Sequence, residues 1–240
     1  MPTDDAPPLI ATIGLHASAS TWVFNVVREL MIAAAGEERV ITLYADRLDQ
    51  LPDETTRASR HVVIKSHHGS EELDAWLAAE QARLFLSIRD PRDACISMTQ
   101  RFKAPLENTV AWIMNDCDRM MRLATLGHPL LRYEDRFFED TFAVGRVAQS
   151  IGLNPPPEVI EAIFARYQTD QVQAFARKLE ELPAERVTMV GAFKMDRVTQ
   201  ILAPHIGDGG SGKWYDLPAR SQAELTRLFG PFLDRFGYER

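Results

Sequence analysis

Between residues 8 and 151, short apolar runs alternate with longer stretches in which apolar positions recur every third or fourth residue. The run at 8–15 (PLIATIGL) carries no charge and reads as a buried strand, and the small polar HASAST after it leads into an apolar-rich helix at 22–35. Further strands are expected at 40–44, 61–65 (HVVIK), 83–88 (RLFLSI) and 129–133. Helices are expected at 71–80, 93–102, 108–126 and 138–151, with a polar loop or short helix at 48–60. Strands alternating with helices at this spacing predict βαβ units on a parallel sheet. Beyond residue 154 the pattern turns helical, over 157–181, 193–202 and 219–236, and the glycine-rich segment 205–217 (HIGDGGSGKWYDL) interrupts it. No internal repeat or linker divides the chain. The expected architecture is α/β: a single three-layer domain over 1–240, with a central parallel β-sheet flanked by helices, a helical C-terminal part and a flexible tail at 1–8.

Composition narrows the chemistry. The 240 residues are 45% hydrophobic and 25% charged, enough to bury a core without disulfides or metals. The two cysteines, Cys95 and Cys117, form no CxxC pair, so no zinc site or disulfide framework is expected and a reducing, cytoplasmic setting fits. The N-terminus is acidic and proline-rich, without the basic and apolar regions of a signal peptide. No stretch approaches the roughly 18–20 apolar residues of a membrane span. A formal net charge of -7 argues against a general nucleic-acid or acidic-membrane binder. A site for an anionic small molecule then has to be a local basic pocket.

Ligands of open parallel sheets sit beyond the carboxyl ends of strands, so four strand ends carry the candidate chemistry. The first, residues 14–21 (GLHASAST), is a loop of small residues opening into a helix, where free N–H groups meet an anion. It overlays the GxxxxGK[ST] phosphate loop at Gly14 and Thr21, but Ala19 stands for the second glycine and Ser20 for the lysine, which speaks against ATP or GTP hydrolysis. An ordinary helix N-cap would use the same Ser and Thr residues. The second end, Lys65-Ser66-His67-His68, offers a cation and a general base, since a neutral imidazole has a pKa of about 6.5. Both histidines also fit a polar loop. At the third, Arg89 leaves a strand, Asp90-Pro91 opens a helix and Ser97 follows one to two turns on. Arg89 and Ser97 could share one phosphate, held by the planar guanidinium fork. The alternative is that Arg89, Asp90, Arg92 and Asp93 form surface ion pairs, the expected role of Arg92 with Asp93. At the fourth, Tyr133 either touches a base or ribose or is a core tyrosine.

In this order the pieces resemble the sulfotransferase family, over about residues 11–214. His16-Ala17-Ser18-Ala19-Ser20-Thr21-Trp22 is similar to the family's x-P-[KR]-S-G-[ST]-T-W loop, Lys65-Ser66-His67 to its Lys-Thr-His step, and Arg89 through Ser97 to R-[DN]-P-x-D-x-x-x-S. Tyr133-Glu134-Asp135 matches its Y-E-D step, and Gly212-Lys213-Trp214 its late G-x-W element. The resemblance implies a P-loop NTPase-like fold and 3′-phosphoadenosine 5′-phosphosulfate (PAPS) as donor, with the desulfated PAP as product. It implies that Ser18, Ser20 and Thr21 hold the 5′-phosphate with Ala17 and Ala19 in the same loop. Trp22 stacks on adenine, Arg89 and Ser97 bind the 3′-phosphate, Tyr133 contacts the adenosine, and Gly212 and Lys213 cover the donor. His67 is implied as the base, with Lys65 steadying the bridging oxygen. No metal is expected, because fixed cations and amides can meet the charge of a transferring sulfuryl group.

Two departures stand out. The family's basic loop residue is Ala17 here, for which His16 or Lys65 would compensate, and its Arg-Lys before the late glycine is Gly207-Asp208, with Lys213 offset from that place. The resemblance implies sulfuryl transfer to a hydroxyl or amine of a small-molecule acceptor. A weakly active or inactive PAP/PAPS-binding module of the same fold and a P-loop kinase are the alternatives. His68, Phe102, Trp112 and Asn115 are candidate acceptor walls, Asp116 or Asp118 would suit a cationic acceptor or a solvated helix face, and a homodimer stays open.

Overall fold

A computed structural model describes residues 7–57, 60–202 and 209–240. Five strands, β1 (Leu9–Gly14), β2 (Val40–Tyr44), β3 (His61–Ser66), β4 (Arg83–Ile88) and β5 (Leu130–Arg132), form one sheet in the order β2-β3-β1-β4-β5. Every neighbouring pair is parallel, with Leu9 opposite Val62 and Ile10 opposite Arg83 on the two sides of β1. The helices are α1 (Ser20–Ala35), α2 (Glu54–Arg57), α3 (Glu71–Ala79), α4 (Pro91–Phe102), α5 (Leu106–Leu123), α6 (Thr141–Ser150), α7 (Pro157–Arg166), α8 (Thr169–Arg177), α9 (Ala219–Leu228) and α10 (Gly230–Phe236). Among the described residues no helix is long and apolar enough to cross a membrane.

The period-two alternation of strand side chains sends each strand into two cores. Leu9, Ala11 and Ile13 of β1, Val62 and Ile64 of β3, and Leu84, Leu86 and Ile88 of β4 share one core with α3, α4, α5 and α10. Ile10, Val63 and Phe85 point the other way, onto α1, α6 and α7. On α1, Trp22, Val23, Val26, Val27, Leu30 and Met31 fall at helical spacing along that second core. This two-sided burial explains why the strand sequences are apolar runs rather than alternating ones.

The chain builds outward from β1 to β2 and β3 on one side, then crosses to β4 and β5 on the other. The strand order therefore reverses at β1, and the ends of β1, β3 and β4 open side by side into one crevice.

The structure departs from the sequence expectations in the C-terminal third. Where a helix was expected at 193–202, strands β6 (Val187–Val190) and β7 (Phe193–Asp196) form an antiparallel hairpin. The β-branched Val187, Thr188 and Val190 favour extended backbone, and Gly191, at φ +58, turns the chain in a two-residue loop with Ala192. The helix expected at 157–181 is broken at Tyr167, and that at 219–236 at Phe229, where Pro231 has no N–H to continue the ladder. Of the expected tail, Pro7 and Pro8 are tied to the sheet. The Val62 N–H donates to the Pro8 carbonyl at 2.8 Å, and His61 Nδ1 lies 3.1 Å from that of Pro7. Residues 1–6 and the Gly207-Asp208 departure lie outside the described residues.

Candidate functional site

Gly14, at the end of β1, has no room for a side chain. A Cβ there would sit 2.3 Å from Ser20 Cβ and 2.5 Å from Ser87 Oγ. The loop that follows holds Ala17 at φ +62 and Ala19 at φ +60, alternating with Ser18 and Ser20 at negative φ. Left-handed backbone costs an alanine about 1–2 kcal/mol, and such strain concentrates at ligand clamps. Alternation of hand turns successive N–H groups inward to make an anion-binding nest. The N-cap of α1 is Ala19 and no side chain caps the helix, which removes the ordinary N-cap reading of the loop's Ser and Thr residues. The positive end of α1 faces the crevice uncapped.

Not every loop hydroxyl faces this nest. Ser18 is fully buried, with its Oγ 2.8 Å from Ser87 Oγ and its N–H donated to the Leu15 carbonyl, so its side chain ties the loop to β4 rather than reaching the cavity. Ser20 and Thr21 do line the cavity. Lys65, at the end of β3, donates from Nζ to Thr21 Oγ1 at 2.8 Å. Burial, helped by the charge of Arg101, lowers its pKa to about 7. An anion beside Thr21 would restore that charge.

His67 is buried, and its Nδ1 lies 2.5 Å from the Gly14 carbonyl. A carbonyl only accepts, so Nδ1 carries the proton and Nε2 keeps the lone pair that a base requires. Burial, then the charge of His16, pushes its pKa well below the usual imidazole value. The ring is therefore neutral at pH 7. The His67 N–H donates to Asp46 Oδ1 at 2.9 Å, and Arg119 donates to the His67 carbonyl at 3.0 Å and to Ser66 Oγ at 2.7 Å. Arg119 is in turn paired with Asp74 on α3.

His16 stacks on His67 with ring centroids 3.9 Å apart. Asp116 Oδ2 accepts from both the backbone N–H and Nδ1 of His16, each at 2.7 Å, and His68 Nδ1 lies 3.0 Å from Oδ1. Burial alone would raise the Asp116 pKa, but the charge of His16 and hydrogen bonds from His16 and His68 hold it below the usual carboxylate range. The same bond raises the His68 pKa. Asp116 is thus neither a solvated helix face nor an acceptor contact: it is fully buried and orients the histidines, while Asp118 is exposed. Donor atoms of His16, His67 and Asp116 lie within 4.8 Å of one another, a grouping the sequence did not suggest. Hydrogen bonding accounts for its His16–Asp116 edge.

At the end of β4, the Arg89 guanidinium donates to the carbonyls of Ala17 at 3.2 Å and Gly210 at 2.7 Å, and its Nε has no partner. It lies 4.1 Å over the Tyr133 ring and 3.7 Å from Asp93. One turn beyond Ser97, Arg101 reaches Ser97 Oγ at 3.4 Å, and its own Nε is also unpartnered. Burial and the charge of Arg89 lower the Arg101 pKa to about 10. Arg89 has Asp93 beside it, whereas the half-buried Arg101 has no carboxylate among the described ion pairs and would gain from an anion. Arg101 was missed from the sequence, although Ser97 and Arg101 share a helix face by their i,i+4 spacing.

These groups line one cavity of ≈ 370 Å³. His16, Ala17, Ala19, Ser20, Thr21, Trp22, His67, Arg89, Ser97, Tyr133 and Lys213 of the expected residues border it, whereas Ser18, Lys65 and Gly212 do not. Lys65 acts through Thr21. The Gly212 and Trp214 N–H groups donate to Asp93, at 2.6 and 3.1 Å, so Gly212 holds a turn whose next residue, Lys213, reaches the cavity. Trp22 meets Phe137 edge-on with centroids 5.5 Å apart, and its Nε1 has no partner.

The surface ion pairs expected of Arg92 and Asp93 are absent, because both residues are fully buried. Arg92 pairs with Asp90, donates to the Glu239 carbonyl and stacks 3.6 Å over Trp214. Of the candidate acceptor walls, Phe102 lines the cavity, while Trp112 and Asn115 are exposed on α5.

Neither a protein-family model nor a curated protein matches the chain. Solved structures do match its fold. Mouse sulfotransferase SULT7A1 complexed with PAP superposes with a TM-score of 0.65 at 11% identity, over 94% of this chain and 83% of that one. Retinol dehydratase in complex with retinol and PAP gives 0.58 at 14%, over 95% and 82%. Retinol dehydratase in complex with androsterone and inactive cofactor PAP gives 0.62 at 13%, over 95% and 81%. The chain has the sulfotransferase fold.

Proposed function

We propose that the chain is a sulfotransferase that moves a sulfuryl group from PAPS to a hydroxyl or amine of a small-molecule acceptor. The observation that carries this reading is the convergence of Arg89, Arg101 and the Lys65–Thr21 pair on one cavity beside His67, with no carboxylate balancing Arg101 or Lys65 among the described ion pairs. A nest and one guanidinium would suit a single phosphate. Several cationic groups around one cavity suit a ligand with more than one anionic group, such as a 3′,5′-bisphosphorylated nucleoside.

In this reading the 5′-phosphosulfate lies on the 17–21 loop and the N-terminus of α1, and the 3′-phosphate lies between Arg89, Ser97 and Arg101. The acceptor oxygen attacks sulfur as its proton passes to His67 Nε2. The bond from sulfur to the bridging oxygen breaks, and that oxygen keeps the electron pair as PAP departs. Lys65, through Thr21, and the helix N-terminus meet the charge that grows there. His16, oriented by Asp116, adds a second imidazole edge to the cavity in place of a basic side chain at residue 17.

The test is calorimetric binding of PAP, with ATP in parallel, followed by transfer of labelled sulfate from PAPS to a panel of phenols, alcohols and amines. Tight PAP binding lost in Arg89→Ala, with turnover lost in His67→Ala, is expected. PAP binding without turnover on any acceptor would leave a donor-binding module, and equal binding of ATP would remove the donor assignment.

A further inference from the structure

The sheet has two edges, and they are built differently. β5 is three residues long, follows Pro129 and ends on Arg132, whose guanidinium donates to the Phe236 carbonyl. Short length, proline and charge are devices that keep an edge strand from pairing with another chain. β2 has none of them. Its sequence, Val40-Ile41-Thr42-Leu43-Tyr44, carries no charge and no proline, and all five residues are half-buried. Among the described residues it pairs with β3 alone.

The outward side of β2 can be assigned residue by residue. The Ala45 N–H donates to the Lys65 carbonyl at 3.0 Å, toward β3. The N–H and carbonyl of one strand residue point to the same side, and the side alternates along the strand. Ile41 and Leu43 therefore face β3 with their backbone groups, and Val40, Thr42 and Tyr44 face outward. The Val40 N–H is taken by the Glu37 carbonyl. Both backbone groups of Thr42, the Tyr44 N–H and the Val40 carbonyl remain for a further strand.

The sequence of this edge complements itself. Set antiparallel about a two-fold axis at Thr42, two copies place Thr42 opposite Thr42, Ile41 opposite Leu43 and Val40 opposite Tyr44. Each Thr42 then exchanges both backbone bonds with its copy, and each Tyr44 N–H meets the Val40 carbonyl of the other copy. Thr–Thr and aromatic–β-branched cross-strand pairs each add about 0.2–1 kcal/mol. Ile41 and Leu43 pack on one core and Val40 on the other, all three only partly covered. The axis keeps each face on its own side, so each core continues into that of the second copy.

We propose that β2 is a dimer interface, pairing antiparallel with β2 of a second copy of this chain and joining the two sheets into one. The proposal is independent of the donor reading.

The experiment is sedimentation equilibrium of the native chain, Thr42→Pro and Thr42→Lys over about a hundredfold range of concentration, because a dimer dissociates by mass action. Folding is checked by thermal melting. The native chain is expected at twice 27.1 kDa in the upper part of that range. Thr42→Pro deletes only an outward N–H and leaves the ladder to β3, so it is expected at 27.1 kDa throughout. Thr42→Lys sets like charges opposite each other at the axis and is expected to do the same. It decides alone if Thr42→Pro does not melt as a folded protein. In hydrogen exchange the Thr42 and Tyr44 amides are expected to be protected in the native dimer and to lose that protection on dilution. A native chain that stays monomeric overturns the proposal. Fast exchange at both amides in the dimer, or a dimer that persists in the folded variants, overturns it by placing the interface elsewhere. Assemblies larger than two do so as well, since a two-fold pairing closes on itself.

Discussion

Replacing Lys65 with methionine tests how the site handles charge. In the ligand-free chain burial holds the Lys65 pKa at about 7, against an ordinary 10.5. At pH 8 the ammonium form then makes up only about a tenth of the molecules. A phosphosulfate or phosphate seated at Thr21 returns the pKa toward its ordinary value, so binding at pH 8 takes up about 0.9 proton, and at pH 6 only about 0.1. Affinity for PAP is accordingly expected to weaken with rising pH above 7, approaching tenfold per unit. Isothermal calorimetry in HEPES and in Tris at one pH reads the uptake directly, because protons drawn from buffers of different ionisation enthalpy change the apparent binding heat. Lys65→Met keeps the apolar stem, removes the proton site and should bring the two heats together. Binding heats that already agree for the native chain at pH 8, or that differ as much in Lys65→Met, would refute the assignment. The sign also fixes a stability effect. A lysine whose folded pKa is lowered costs stability at low pH, and that cost fades between pH 7 and 10.5, so ligand-free Lys65→Met should gain most over the native chain below pH 7.

Three further outcomes follow from the same geometry. Ala19→Gly relieves a left-handed alanine at φ +60 and, after the entropy that glycine adds to the unfolded chain, should stabilise by about 0.5–1 kcal/mol; a lower melting temperature would contradict the strain. Arg101→Met should weaken adenosine 3′,5′-bisphosphate about 10- to 100-fold while leaving adenosine 5′-monophosphate within about threefold, measured by competition, and equal losses for both would move Arg101 away from the 3′-phosphate. Asp116→Ala leaves His16 and His68 without their shared carboxylate and should cost about 3–5 kcal/mol in chemical denaturation at pH 7. Because the folded Asp116 pKa is lowered, that gap should persist above about pH 4 and shrink below it, and a gap that grows on acidification would show the carboxylate to be uncharged.

The sheet was legible because strands buried on both faces leave a plain mark in the sequence: residues such as Ile10, Ile13, Val63 and Leu86 are apolar wherever they point. The strand ends were legible for the same reason, since polar residues such as Lys65, His67 and Arg89 interrupt those runs abruptly. Asp116 was not. It lies on a helix near Asp118, a pattern usual for solvated faces, and its partner His16 is 100 residues away in sequence. Arg92 and Asp93 misled in the opposite sense, because adjacent opposite charges look exposed, while here the 212–214 turn, Thr226 of α9 and Glu239 engage them. The β6–β7 hairpin was hidden by its brevity, as four-residue strands of mixed polarity carry too little period to tell from a helix. Ser18 shows the limit of matching by motif: a hydroxyl at the right place in the loop turns inward to Ser87, while Ser20 and Thr21 of the same loop border the cavity.

Arg92, three residues past Arg89, donates to the carbonyl of Glu239, 147 residues further along the chain. The helix that carries Ser97 and Arg101, and that follows directly on Arg89, is therefore braced at its first turn by a segment remote from it in sequence. A change confined to that segment would loosen one wall of the cavity without touching any residue that lines it.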